Sequence, residues 1–327
     1  MTRALALISG GLDSILAAKL VKEQGIEVIG ICFKSHFFNE ENAVRMTKQI
    51  DIPLKVIDFS KEHFKIVKNP KHGHGKNMNP CIDCHALMMN YAGKMLDELQ
   101  GDFIITGEVL NQRPMSQNKS SLNIVKKESG FADKILRPLS AKILPPTQME
   151  VDGLVDREKL LGISGRGRKE QMELAKKWGI KDYPSPAGGC KLTEPNYSIR
   201  LKELLEENQN PDNRQLELLK IGRHFRVTPN AKIISTRTAE EGEMLKKLLT
   251  EEDVIFLAKD FKGSMVILIG EAEEEDIIFA AKVTARYSKG KDEEKLVIRY
   301  GKYKHPSNNF IEVASATEEE LEKYMIK

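Results

Sequence analysis

Apolar residues in the first hundred positions follow two alternating patterns. Short apolar runs, Ala4–Ile8, Val28–Phe33, Leu54–Phe59 and Phe103–Thr106, suit buried strands. Between them the apolar positions recur at helical spacing. One helix opens near Asp13, sets Leu16 and Leu20 one turn apart and stops at Gly25, whose missing Cβ suits a left-handed C-terminal residue. Further helical patterns cover Glu41–Ile50 and run from Cys81 through Leu87, Met88, Tyr91 and Met95. Strand–helix alternation with short links predicts an α/β fold, a doubly wound parallel sheet that binds ligands at the carboxyl ends of its strands.

The texture changes further on. Asn69–Pro80 is a long polar loop, and Pro138, Pro145, Pro146, Pro184, Pro186 and Pro195 punctuate a mixed segment. Beyond Tyr197, Leu- and Glu-rich helical stretches alternate with strand-like runs at Val254–Ala258, Met265–Ile269 and Leu296–Tyr300. Thr238 with Glu241 and Thr317 with Glu320 have capping-box spacing. The expected division is a first domain over 1–200 and a smaller α+β domain over 201–327. No internal repeat is present.

Composition narrows the class. The 327 residues are 40% apolar and 30% charged, which excludes disordered and collagen-like chains. No apolar run approaches the ~18 residues that span a bilayer, and the N-terminus lacks the pattern of a secretory signal. A cytoplasmic protein with no membrane partner is the expectation. The net charge of +3 hides a split, because 1–200 carry an excess of seven positive charges and 201–327 an excess of four negative ones. A polyanionic partner would meet the first part.

Ser9-Gly10-Gly11-Leu12-Asp13-Ser14 follows the first strand and opens the first helix. Two glycines let backbone N–H groups approach an anion, and the helix start adds free donors and a positive dipole end. The Ser9 and Ser14 hydroxyls add phosphate donors. Neither a Walker A loop nor GxGxxG is present. A second loop, Thr106-Gly107-Glu108 through Arg113 to Gln117, follows the fourth strand and faces the same ligand. There Glu108 is a candidate magnesium ligand and Arg113 a phosphate clamp.

The first loop resembles the pyrophosphatase loop of the ATP-pyrophosphatase superfamily, with an adenine nucleotide alpha hydrolase-like fold. The second loop, with Arg137-Pro138-Leu139-Ser140, resembles the tRNA thiolation branch of the MnmA and ThiI type. The resemblance implies ATP bound at Ser9, Gly10, Gly11, Asp13, Ser14, Thr106, Gly107 and Arg113, with Asp13 serving Mg2+ or the phosphates. It implies adenylation of a uridine oxygen and sulfur transfer. The rhodanese-like module and the N-terminal RNA domain of ThiI-type enzymes are not evident, which leaves the donor open between sulfide and a persulfide carrier.

Cys81 and Cys84 share a helical face behind Asn79-Pro80, and Cys190 follows Gly188-Gly189. Three cysteines suit a metal or cluster better than a disulfide. The preferred reading is a [4Fe–4S] cluster on Cys81, Cys84 and Cys190. The others are persulfide catalysis by the same catalytic cysteines, a zinc site completed by His85, and haem attachment at C-x-x-C-H. Cys32 reads as core packing. His72 and His74 form an H-x-H pair in the polar loop, either a metal pair or part of a substrate loop.

Arg166, Arg168 and Lys169 form a basic, glycine-containing turn suited to RNA phosphates. The last ~125 residues resemble the RNA-binding domain of NFACT proteins through Ile221-Gly222-Arg223-His224-Phe225-Arg226. A local patch of Arg223, His224, Arg226, Lys232 and Arg237 is its RNA-contact candidate. The expected function is ATP-dependent tRNA uridine thiolation, with a homodimer left open. Two rivals are a superfamily enzyme acting on a small metabolite and a noncatalytic RNA- or nucleotide-binding regulator.

Overall fold

Strand β1 (Arg3–Leu7) is the centre of the first unit, because its run RALAL has apolar residues for both faces. Ala4 and Ala6 enter the cluster on one side of the sheet and Leu5 the cluster on the other. The computed structural model describes residues 1–185, 189–304 and 309–327. Pro186, Ala187 and Gly188, part of the proline–glycine segment before Cys190, lie outside the described residues.

Two compact units result, Met1–Glu194 and Pro195–Lys327. In the first, β1 is followed by α1 (Leu12–Lys22), β2 (Glu27–Lys34), α2 (Glu41–Lys48), β3 (Leu54–Asp58), α3 (Ser60–Lys68) and α4 (Cys81–Lys94). Then come β4 (Phe103–Thr106), α5 (Lys119–Glu128), β5 (Ile135–Leu136), α6 (Gln148–Val151) and α7 (Lys169–Lys177). The strands form one sheet in the order β3-β2-β1-β4-β5, with every pair parallel. Helices α1, α2 and α7 pack on one face, and α4 and α5 on the other. The chain leaves β1 toward β2 and β3 and later returns to β4 on β1's opposite side. Such a reversal opens a crevice at the carboxyl ends of the two central strands.

The second unit contains α8 (Pro195–Glu207), α9 (Asn213–Leu218), β6 (Arg223–Phe225), β7 (Ala231–Ser235), α10 (Ala239–Lys246) and β8 (Val254–Ala258). It continues with β9 (Val266–Gly270), α11 (Glu274–Arg286), β10 (Leu296–Lys302), β11 (Asn309–Val313) and α12 (Glu318–Tyr324). Its sheet is antiparallel, ordered β11-β10-β8-β9-β7-β6. Phe279, Ala280 and Val283 of α11 cover one face. Leu218 of α9 and Leu245 of α10 cover Ile234 and Ile267 on the other. Thr317 and Glu320 close a capping box before α12. Thr238 caps α10, but Glu241 turns its carboxylate to the Arg237 N–H instead of the cap residue's own.

One buried group makes the first unit acid-sensitive. His63 of α3 is fully buried, stacks on Phe59 at 5.0 Å and also faces Phe37 and Phe38. Neither ring nitrogen has a hydrogen-bond partner among the described residues. Burial, with the charge of His36, lowers its pKa from 6.5 to about 4. Between those values the unfolded chain binds a proton that the native chain refuses. Stability is therefore whole above pH 6.5 and falls as pH drops toward 4, by about 3 kcal/mol for a shift of this size. Urea midpoints followed by circular dichroism should show this decline. His63→Phe should flatten it within that window, and an unchanged slope would refute the assignment.

Candidate nucleotide and sulfur site

The glycine loop lies at the carboxyl end of β1. Gly10 has φ +77°, and a Cβ there would stand 2.5 Å from the backbone nitrogen of Ala43, so the turn needs glycine twice over. The Ser14 hydroxyl donates to the Gly11 carbonyl at 2.8 Å, and Gly11 N–H donates to Ser9 Oγ at 3.3 Å. Both hydroxyls stay beside the first turn of α1. At the end of β4, Gly107 lies against the same turn, and a Cβ there would be 2.5 Å from the Ser14 backbone. The two loops that the sequence assigns to one ligand are thus adjacent.

Asp13 stands in the first turn of α1. Its Oδ2 accepts from Gln112 Nε2 at 2.7 Å and lies 3.5 Å from Arg168 Nη2. Its Oδ1 is buried and, like Arg168 Nε, has no hydrogen-bond partner among the described residues. Gln171 supports Gln112 at 3.1 Å. An orphaned carboxylate oxygen beside the glycine loop fits a divalent cation. Gln112 and Gln171 are additions to the site that carried no sequence signal beyond Gln112's place in a carboxyl-end loop. Arg168, read from sequence as an RNA contact, is placed at Asp13. A strap brings it there: Gly165 N–H donates to the Leu110 carbonyl at 2.8 Å, and Ser140 accepts from Leu110 and donates to Ile163. Arg166 and Lys169 remain exposed.

Glu108 differs from its expected role as a magnesium ligand. It is almost fully buried, with Oε1 at 2.8 Å from His85 Nδ1 and Oε2 at 2.8 Å from Arg137 Nε. Both oxygens are committed to the protein. Burial alone would raise its pKa, but the Arg137 guanidinium and His85 overcome that and hold it below the usual range. His85 lies next to Cys84, so this triad joins the β4 loop to the start of α4.

The three thiols converge at that helix start. Cys81 is half-buried at the first position of α4, and its Sγ accepts from Asn79 Nδ2 at 3.2 Å. Cys84 is buried in the core behind it. Its pKa is raised well above the ordinary thiol value by burial and then by the charges of Cys190 and Cys81. Cys190 is half-buried, and burial pushes its thiol up to about 12, while the charge of exposed Arg113 pulls it down. Lys191 N–H donates to the Phe37 carbonyl at 2.9 Å and Asn77 donates to the Thr193 carbonyl at 2.7 Å, which seats the Cys190 segment. Among the described residues, no three His, Cys, Asp or Glu side chains stand close enough to share a metal ion. The thiols are neighbours, and neither a cluster nor a zinc site is shown among the described residues. His72 is held by Asp83 at 2.8 Å and His74 by the Val67 carbonyl at 2.8 Å, so the H-x-H pair is split between separate partners. Cys32 packs in the core as expected, its thiol raised by burial to about 12.

Comparison with known proteins bears on this geometry. Residues 1–142 match the family described as thiamine biosynthesis protein (ThiI), and residues 222–325 the family described as NFACT protein RNA binding domain. The first unit carries a ThiI-type PP-loop domain. The second carries an NFACT-type RNA-binding domain. The tRNA-specific 2-thiouridylase MnmA of Helicobacter acinonychis (strain Sheeba) is 31% identical over 155 residues, 43% of this chain and 45% of that one. MnmA of Listeria monocytogenes serovar 1/2a is 25% identical over 242 residues, covering 68% and 61%. This chain thus spans about half the length of the curated relatives it matches. A solved 4-thiouridine synthetase–RNA complex with bound ATP aligns at 19% identity and a TM-score of 0.39, over 66% of this chain and 52% of that one. The match to the ThiI-type domain covers Ser9–Ser14, the β4 loop and Cys81 with Cys84, but ends before Arg168 and Cys190.

Proposed function

We propose that the protein is an ATP-dependent tRNA uridine sulfurtransferase. The observation that carries this reading is adjacency: the glycine loop, the β4 loop, the Glu108–His85 link and the three thiols form one continuous path at the carboxyl end of a ThiI-type sheet. A nucleotide loop alone serves many reactions. A nucleotide loop leading to paired thiols suits activation followed by sulfur delivery.

In this reading Ser9, Gly10, Gly11 and Ser14 hold the triphosphate, assisted by Thr106 and Gly107. Asp13, through its orphaned Oδ1, would hold Mg2+, which supplies charge neutralisation at the phosphates. Arg168, with Nε unpaired, is the nearest cation to share that work. The uridine carbonyl oxygen attacks the α-phosphorus, the bond to the β-phosphate oxygen breaks, and pyrophosphate leaves. The base now carries AMP on its oxygen. The terminal sulfur of a cysteine persulfide attacks that carbon, and AMP departs with the original oxygen. The partner thiolate then attacks the cysteine sulfur of the resulting disulfide link, releasing thiouridine and leaving a disulfide that a thiol reductant resets. Cys81 and Cys190 suit these roles, because Cys84 is sealed in the core. Arg166 and Lys169 are the RNA phosphate contacts, and the expected location is the cytoplasm.

The test is direct. Unmodified tRNA, ATP, Mg2+, a persulfide donor and a thiol reductant are incubated with the whole protein, and the nucleosides are analysed by mass spectrometry. Sulfur-for-oxygen exchange in uridine, with one AMP and one pyrophosphate per product, is expected. Pyrophosphate release that ignores tRNA and answers to a small metabolite would overturn the reading. Iron and zinc assays and the visible spectrum of anaerobically purified protein decide the [4Fe–4S] reading.

A further inference from the structure

The RNA patch expected around Arg223 is largely spent. Arg226 pairs with Glu203 at 2.6 Å and Glu207 at 2.8 Å, and Lys232 pairs with Glu203 at 2.7 Å. His224 is fully buried, and Arg223 lies over the Tyr287 ring at 4.2 Å. A different surface of the second unit has the opposite character. On β10, Leu296 and Ile298 enter the core under α11, so Val297 and Arg299 point to the other face by strand alternation. That face is covered by α9 and α10 only over β7, β9 and Ile255 of β8. Beyond them, Leu257 of β8, Arg299 of β10 and Phe310 of β11 stand directly opposite one another in one cross-strand row.

Phe310 is 49% exposed on the edge strand. Lys259 Nζ sits 5.5 Å from its ring centroid, and Arg299 is exposed beside it. Neither cation has a carboxylate within ion-pair distance among the described residues. Glu312 shares the face two positions on, as an acceptor suited to base amino groups. An open sheet carrying an exposed aromatic ring beside two unneutralised cations matches what an unpaired nucleotide offers: a flat base to stack and phosphates next to it. Burying such a row in a protein interface would strand both charges.

We propose that the Leu257–Arg299–Phe310 row, with Lys259, is a docking site for single-stranded RNA, on which one base stacks against Phe310 while Lys259 and Arg299 hold the flanking phosphates. The site rests on RNA being the substrate of the protein, and it gives the second unit the task of gripping an unpaired segment of the tRNA. No sequence preference is built into a stack of this kind, because every base has a π-face.

The experiment measures anisotropy of a labelled oligouridylate with the whole protein over a range of salt. Phe310→Ala should weaken binding about ten- to hundredfold, the range for one lost base stack, and Phe310→Trp should restore it. The double replacement Lys259→Ala with Arg299→Ala should reduce the slope of log affinity against log salt by about 1.4, two phosphate contacts on a single strand. These exposed positions leave the core intact, and melting curves verify that. Wild-type affinity in all variants, or no binding by the wild type, overturns the site. So does loss of self-association on sedimentation with oligonucleotide affinity unchanged, which would make the row an interface between copies. Because binding is read without turnover, failure here is separate from failure to form thiouridine.

Discussion

Cys190→Ser should keep tRNA-dependent pyrophosphate release near the wild-type rate and lower thiolated product by more than about a thousandfold, the scale for removing a covalent participant. In the proposed reading the two half-reactions occupy different ends of the site. Pyrophosphate would leave at Ser9–Ser14, where Gly10 and Gly107 pack closely. Sulfur would arrive at Cys81 and Cys190. The pH profile adds a second readout. Burial pushes the Cys190 thiol up to about 12, with Arg113 working against it, so the reactive thiolate is scarce at neutral pH and grows as pH rises. Thiolation should therefore climb with pH while adenylation does not. Arg113→Ala removes the favourable charge and should slow thiolation further. Equal loss of pyrophosphate and product in Cys190→Ser would place Cys190 in nucleotide binding and defeat the division of labour. Rapid quench with separate assays for the two products makes the distinction.

How much of this was legible in the sequence depends on the range of each signal. The loop Ser9–Ser14 is local: a doubly buried strand, two glycines and a helix start lie within a dozen residues, and the structure reproduces that order. Strands β1, β2 and β4 are visible for the same reason, since each is a mostly apolar run, while β3 (LKVID) carries Lys55 and Asp58 and is only partly apolar. Strand β5 has two residues and β6 three, too few for any periodicity. Charge pairing over distance was hidden. Glu108 reads as a free carboxylate in a ligand loop until Arg137, 29 residues later, and His85, 23 earlier, are seen to take both its oxygens. Arg168 reads as one cation of a basic turn until the strap across Leu110 sets it at Asp13, 155 positions away. In the second unit, Arg226 and Lys232 look exposed and basic until Glu203 of α8 neutralises both. The sequence placed chemistry by neighbourhood along the chain, and the corrections come from residues brought together by the sheet.

Glu108→Ala should be the most destabilising single change in the first unit, by about 3–5 kcal/mol, because it leaves the Arg137 charge buried without a counterion. For a unit of this size that corresponds to a fall in melting temperature of roughly 6–20 °C. The effect is more than a lost contact. Arg137 also donates to the Leu122 carbonyl at 3.1 Å, so it cannot swing to water without releasing the end of α5's first turn. Replacing both partners by apolar groups of similar size removes the stranded charge. Glu108→Leu with Arg137→Met should therefore be markedly less destabilised than the sum of the two single changes. The pair also sets an acid limit. Its carboxylate pKa is lowered in the fold, so its contribution is whole above the unfolded value near 4.5 and is lost as pH falls through the lower folded value. That window lies below the one in which His63 acts, so the two declines separate in a stability profile. Through His85 the same substitution loosens the start of α4, and thiolation should suffer more than nucleotide binding. Simple additivity in the double variant would show that Glu108 and Arg137 do not act as a unit.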